Sequence, residues 1–259
     1  MRPLTELSKA EARGLQGLLF DLDDTLLDHG QLTLDAYQAL CNLAETDLWL
    51  VAVTGRPASW GELVAGMWPI RAALSENGHL AHARLGGRVQ RLDAIPSATR
   101  TERRERLLEL TEQLMAEFSD LVPADDVHGR VSDFTFDIGE FRKVDPDVVA
   151  AARRSAEARG ASTTVSSVHF HITFDTHDKA SGSVAFLSQH GGIDTTRALE
   201  RFAYVGDSEN DAACFAAFRT TIGVANLSGA PTVTPRYRCG ATRGAGFAEL
   251  AAHLLRLRS

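Results

Sequence analysis

A short apolar run near the start of the chain, Gly17-Leu18-Leu19-Phe20, breaks directly into Asp21-Leu22-Asp23-Asp24-Thr25. A run with no polar alternation reads as a strand covered on both faces, the habit of parallel sheets. Ligands in open α/β sheets sit just beyond the carboxyl ends of the strands. The run places two carboxylates there, Asp21 and Asp23, spaced i, i+2. Unpaired carboxylates near a core are costly, so a metal or a cationic side chain should accompany them. Asp21, Asp23 and Thr25 also match positions one, three and five of a calcium loop. That loop needs Gly at position six and Glu at position twelve, where this chain has Leu26 and Leu32. A helix N-cap explains one of the acids but not two behind an apolar strand.

The same alternation continues. Residues 18–22 form the first expected strand. Residues 33–44 follow with helical spacing of Leu34, Tyr37, Leu40, Cys41 and Ala44, and then come strands at 48–53 and 72–74. Pro57 suits a first helical turn. The pattern then changes to a hairpin over 80–92 turning at Gly86-Gly87, a long helix from Ser97 to about 118, a strand over 130–138, a helix from Asp145-Pro146 to Gly160, and one or two strands over 163–174. Parallel-sheet character returns after Lys179, with strands at 202–205 and 221–224 and helices at 180–189, 209–218 and 246–257. The expected fold is α/β, a Rossmann-like core with a parallel sheet flanked by helices. Residues 1–82 and 176–259 make the core, and 83–175 form an inserted smaller α+β domain.

Composition narrows the partners. The 259 residues are 44% hydrophobic with a formal charge of −7. That is enough chain for one large domain or a core with an insertion. It argues against a nucleic-acid partner, which usually meets a basic face. The densest basic stretch, Arg100 to Arg106, is interleaved with Glu102 and Glu105, as on a solvated helix face. Cys41, Cys214 and Cys239 lack disulfide or C-x-x-C spacing and read as small core residues. Residues 1–16 lack the apolar segment of a signal peptide, and no apolar run reaches membrane-spanning length. A soluble, cytoplasmic protein is expected.

Three further clusters fall at expected strand ends. Thr54-Gly55-Arg56 offers a hydroxyl and a closely approachable amide, although a Thr-Gly turn before Pro57 is also ordinary helix initiation. Lys179 stands at a helix start, where a cation opposes the macrodipole unless an anion lies nearby. In Tyr204-Val205-Gly206-Asp207-Ser208-Glu209-Asn210-Asp211, two acids lie four residues apart on one helical face after a buried strand. Capping explains part of that pattern. Taken together, Asp21, the Asp23 backbone carbonyl and Asp207 are hard oxygen donors suited to Mg²⁺, with Asp211 able to hold a metal-bound water. Thr54, the Gly55 amide and Lys179 would bind phosphoryl oxygens.

In order along the chain, Asp21-x-Asp23-x-Thr25, Thr54-Gly55-Arg56, Lys179 and Gly206-Asp207-Ser208-Glu209-Asn210-Asp211 resemble the motifs of the haloacid dehalogenase superfamily of phosphohydrolases. The resemblance is strongest to the subgroup with an α/β cap inserted between the second and third motifs, which includes Cof-type and sugar-phosphate phosphatases. Asn77-Gly78 resembles the Asn-Gly after that family's third strand. The resemblance implies that Asp21 is the nucleophile, becoming an aspartyl phosphate, and that Asp23 is the general acid and base. It further implies that Thr54 and Lys179 complete the catalytic set. Gly55, Arg56, Asn77 and Asn210 would bind substrate, with Asp21, Asp23, Asp207 and Asp211 around Mg²⁺. The family's lysine is often followed by Gly, whereas Ala180-Ser181-Gly182 follows here.

Specificity is expected from the cap, whose polar candidates are Glu140, Arg142, Lys143, His169 and His171. Period two puts the two histidines on one strand face, for sugar hydroxyls, a carboxylate or solvent. The implied function is Mg²⁺-dependent hydrolysis of a small phosphorylated metabolite, most simply a sugar phosphate. The alternatives are a phosphomutase of phosphomannomutase type and a non-catalytic sensor of a phosphorylated ligand.

Overall fold

The computed structural model describes residues 1–166, 168–227 and 231–259. The chain divides into two compact units. The first comprises residues 1–55, 61–92 and 177–259, and the second residues 56–60 and 93–176.

The larger unit is built on a nine-stranded sheet. Its strand order is Arg2–Pro3, Tyr237–Arg238, Thr220–Gly223, Phe202–Gly206, Gly17–Phe20, Trp49–Val53, Ala72–Ser75, Leu80–Leu85 and Arg88–Asp93. Pairing is parallel from Arg2–Pro3 through Ala72–Ser75, and antiparallel where Leu80–Leu85 joins Ala72–Ser75. Gly17–Phe20 is central and buried on both faces, as its composition requires. Phe20 packs edge-on against Phe247 of the terminal helix Arg243–Arg258, which also lies along helix Leu34–Ala44. Leu19, Val51, Val53, Leu74 and Tyr204 instead form a core with Phe186, Leu187, Phe215 and Phe218, from the helices Lys179–Gly191 and Ala212–Ala217 and the turn after them.

Gly86 and Gly87 both have positive φ, 56° and 80°, as a two-residue hairpin turn needs. The hairpin they close extends the main sheet, with Ser75 opposite Leu80 and Ala72 opposite Ala83. Residues 83–92, expected with the insertion, therefore lie in the larger unit. The first sixteen residues contribute an edge strand and a helix, Lys9–Gly14, capped by a reciprocal Ser8–Glu11 box. They bury Leu4, Leu7, Ala12 and Leu15.

The smaller unit carries an antiparallel four-stranded sheet in the order Val122–Pro123, Asp133–Asp137, His169–Thr173, Ser162–Val165. Phe134, Phe136, Phe170 and Ile172 pack beneath the helices Ser97–Glu117 and Pro146–Ala158 through Leu107, Leu110, Leu114, Val149 and Ala152. Alternation then sends Asp133, Thr135, Asp137, His169, His171 and Thr173 to the opposite face. Arg100 ties the ends of this unit's chain together. It makes two 2.8 Å bonds to Asp93 and a further bond to Asp175, which Arg103 also engages.

Candidate active site

Three parallel strands of the larger unit deliver carboxylates and donors at their carboxyl ends. The Asp21 amide donates to the Val205 carbonyl at 2.9 Å, which holds the first acidic loop against the neighbouring strand. Beyond Phe202–Gly206, the chain turns so tightly that Asp211 folds back over Gly206. A Cβ on Gly206 would stand 2.3 Å from Asp211 Oδ2 and 2.8 Å from its Cβ, so glycine is required there. Asp211 Oδ2 accepts the amides of Asp207 and Ser208 at 2.9 and 3.2 Å. Asp211 Oδ1 accepts Lys179 Nζ at 2.8 Å and the Tyr204 hydroxyl at 2.6 Å. Lys179 Nζ lies 2.9 Å from Asp21 Oδ1. Thr25 Oγ1 donates to Asp207 Oδ1 at 3.2 Å.

The lysine reaches this position because Asp178 and Ser181 form a reciprocal box at the start of Lys179–Gly191. The helix also abuts the Asn77-Gly78 turn at very short range. A Cβ on Gly182 would lie 2.3 Å from the Gly78 carbonyl oxygen. The glycine that packs against the turn is thus Gly182, three residues after the lysine. Asn77 adopts a left-handed φ of 58°, its amide donates to Thr54 O at 2.9 Å, and its Oδ1 accepts from Asn210 Nδ2 at 3.1 Å. Thr54 is fully buried where strand Trp49–Val53 ends.

Oxygen atoms of Asp21, Asp207 and Asp211 all lie within 4.8 Å of one another, and all three side chains are buried. Asp23 is a fourth acidic group within electrostatic reach of Asp21. One ammonium therefore faces an excess of carboxylate. Burial opposes the charge on Lys179, but Asp21 and Asp211 outweigh it and hold the ammonium protonated well above the usual lysine range. Burial raises the Asp21 carboxyl well above its ordinary range, against the pull of Lys179, and the neighbouring acids add to the rise. Asp207 is pushed up to about 7, by burial and then by Asp211. A buried, oxygen-only donor set with surplus negative charge fits a hard divalent cation.

Two participants carry no clear signal in the sequence. Asn226 Nδ2 donates to the Asp24 carbonyl at 2.9 Å and to Asp207 Oδ2 at 3.4 Å. Arg243 Nε bonds Asp24 Oδ1 at 2.8 Å, turning that side chain into a support for the loop. Asn226 shares the position of the other site residues, just past a parallel strand, but an Asn there is an ordinary turn residue. Arg243 has no local signal.

Arg56, Glu140, Arg142, Lys143, His169 and His171 belong to the smaller unit. Arg56 stacks over Trp60 with its guanidinium 3.9 Å from the ring centroid. His169 and His171 share a face, as period two requires, with ring centroids 5.8 Å apart. His169 Nε2 meets Glu140 Oε2 at 2.8 Å, and His171 Nδ1 lies 3.1 Å from Thr135 Oγ1 and 3.2 Å from Asp133 Oδ2. Asp137 accepts the amides of Gly139, Glu140 and Phe141, fixing the loop that carries exposed Arg142 and Lys143.

No protein-family model and no curated protein matches the chain. Solved structures do. A Thermoplasma acidophilum protein superposes with a TM-score of 0.76 at 17% identity, over 93% of this chain and 98% of that one. A haloacid dehalogenase-like hydrolase from Bacteroides thetaiotaomicron gives 0.71 at 14% identity, over 92% and 98%. The sucrose-phosphatase from Synechocystis, solved with sucrose and phosphate, gives 0.66 at 19% identity, over 93% and 98%. With near-complete coverage in both directions, a parallel sheet ending in buried acids, and a second unit inserted into the first, the chain has the fold of the haloacid dehalogenase-like hydrolases with an inserted cap.

Proposed function

We propose that this protein is a Mg²⁺-dependent phosphomonoesterase acting on a small phosphorylated metabolite, a sugar phosphate first among the candidates, through an aspartyl phosphate on Asp21. The observation that carries this reading is the buried Lys179 ammonium between Asp21 and Asp211, beside Asp207. Such a cluster is unfavourable for stability alone and suits charge stabilisation at phosphorus. The carboxylates of Asp21 and Asp207 with the Asp23 backbone carbonyl would hold Mg²⁺, with Asp211 completing the acidic group. The bound ion would offset phosphoryl charge that these acids otherwise repel.

In the first half-reaction an Asp21 oxygen bonds to phosphorus while the ester P–O bond breaks, and Asp23 protonates the departing alkoxide. In the second, Asp23 takes a proton from water as the water oxygen bonds to phosphorus. The bond to Asp21 breaks and inorganic phosphate leaves. Lys179, the Thr54 hydroxyl and the Gly55 amide donate to phosphoryl oxygens, with Asn77 and Asn210 as further polar contacts. In this reading the inserted unit selects the alcohol portion through Arg56, Arg142, His169 and His171. The sucrose-phosphatase likeness supports a sugar phosphate.

Phosphate release from a panel of phosphorylated sugars and other metabolites, with Mg²⁺, with EDTA and with Asp21→Asn, tests the proposal. Mg²⁺-dependent release abolished in the variant is the expected result. A folded wild-type protein that releases no phosphate from any member would overturn it.

A further inference from the structure

We propose that Tyr204 is a positioning residue: its hydroxyl fixes the orientation of the Asp211 carboxylate and thereby seats the Lys179 ammonium against Asp21. Its kinetic consequence rests on the phosphatase reading above; its geometric part does not.

Tyr204 lies within strand Phe202–Gly206, opposite Leu19 and Thr221 on the adjoining strands. It is fully buried, its ring stacked on Phe218 and edge-on to Phe215 at centroid distances of 6.1 and 6.0 Å. An apolar ring would fill this place. A hydroxyl carried into such a core is costly unless it is bonded, and this one donates to Asp211 Oδ1 at 2.6 Å. Burial and the Asp211 charge raise the phenol well above its ordinary range, so it stays a donor.

The bond matters because of what else Asp211 holds. Oδ2 is committed to the amides of Asp207 and Ser208, and the carboxyl group lies against Gly206. Oδ1 then serves both Tyr204 and Lys179. The hydroxyl draws charge from the oxygen that the ammonium shares, which keeps Lys179 balanced between Asp211 at 2.8 Å and Asp21 at 2.9 Å. Among the described residues, two of the ammonium's three N–H bonds go to these carboxylates, which leaves the third to be offered to a phosphoryl oxygen. Removing the hydroxyl concentrates charge on Oδ1 and pulls Lys179 towards Asp211, away from the nucleophile.

The composition provides a clean probe. The chain has three lysines, Lys9, Lys143 and Lys179; the first two are exposed and the third is buried. In ¹⁵N-lysine-labelled full-length protein without Mg²⁺, one ammonium signal should be protected from solvent exchange. Tyr204→Phe keeps the ring and should shift and broaden that signal. It should also lower kcat about tenfold, the scale of a hydrogen bond to a charged group, with KM changed less than about twofold. If Tyr204→Phe does not fold, wild-type protein made with 3-fluorotyrosine, a stronger hydroxyl donor, should move the same signal in the opposite sense. An unmoved Lys179 signal, or no protected ammonium in the wild type, would overturn the proposal. A moved signal in a protein that hydrolyses nothing would leave the positioning role standing and remove the phosphatase reading.

Discussion

Lys179 occupies the first turn of a helix, where a cation opposes the macrodipole, and it does so almost wholly buried. Asp21 and Asp211 compensate that placement. Asp21→Asn separates chemistry from folding at this residue. The amide cannot attack phosphorus, so hydrolysis should fall by about three orders of magnitude or more, as for lost nucleophiles in general. The substitution also removes one carboxylate from an over-acidic cluster. The thermal midpoint in EDTA should therefore be no lower than wild type, measured by circular dichroism. A midpoint well below wild type would mean that Asp21 serves structure more than chemistry. Asp21 and Asp207 were legible because each follows directly on an apolar strand, where packing gains nothing from an acid and burial penalises it. The partners that tune them were not. Arg243 reaches Asp24 across 219 positions, and Tyr204 in sequence is indistinguishable from any aromatic core residue.

At the scale of the element, the site depends on how closely the start of helix Lys179–Gly191 approaches the Asn77-Gly78 turn. Gly182→Ala would put a methyl group 2.3 Å from a backbone oxygen that cannot rotate away. The helix must retreat and carry Lys179 with it. Overpacking of this kind costs about 1–3 kcal/mol, so a lower denaturant midpoint and a loss of activity larger than the loss of folded protein should appear together. Unchanged activity in a stable variant would show that the helix start has more freedom than the contact implies. Sequence reading found this helix, and it found the long ones of the smaller unit through their start and stop signals. It missed helix Thr195–Arg201 and the two-residue strands Arg2–Pro3 and Tyr237–Arg238, which are too short for any period to register. The hairpin was recognised, but the sheet it joins is decided by pairing across Ser75 and Leu80, a tertiary fact invisible in its own residues.

For the whole molecule, the charge excess at the site becomes a dependence of stability on pH and metal. Asp207 titrates near 7 in the folded protein against about 3.9 for an unperturbed Asp. Between those values the folded state binds more protons than the unfolded one, so this group lowers stability as pH rises from about 4 to 7. Buried His82 works in the opposite sense. Desolvation depresses its pKa, so the unfolded state binds more protons around pH 6 and stability rises with pH. Asp133 is held far below the usual range, with Arg130 outweighing the effect of burial, and stays ionised across this window. A melting curve at each pH therefore mixes opposing contributions, but the difference between Mg²⁺ and EDTA isolates the acidic cluster. Mg²⁺ bound as proposed would have to displace the proton that Asp207 holds at low pH, a competition that fades as pH rises through about 7. The stabilisation by Mg²⁺ should be small at about pH 5 and several degrees larger at about pH 8, and Asp207→Asn should flatten that dependence. Equal stabilisation at both pH values, read by differential scanning calorimetry, would place the cation away from Asp207 and remove the metal assignment on which the proposed chemistry depends.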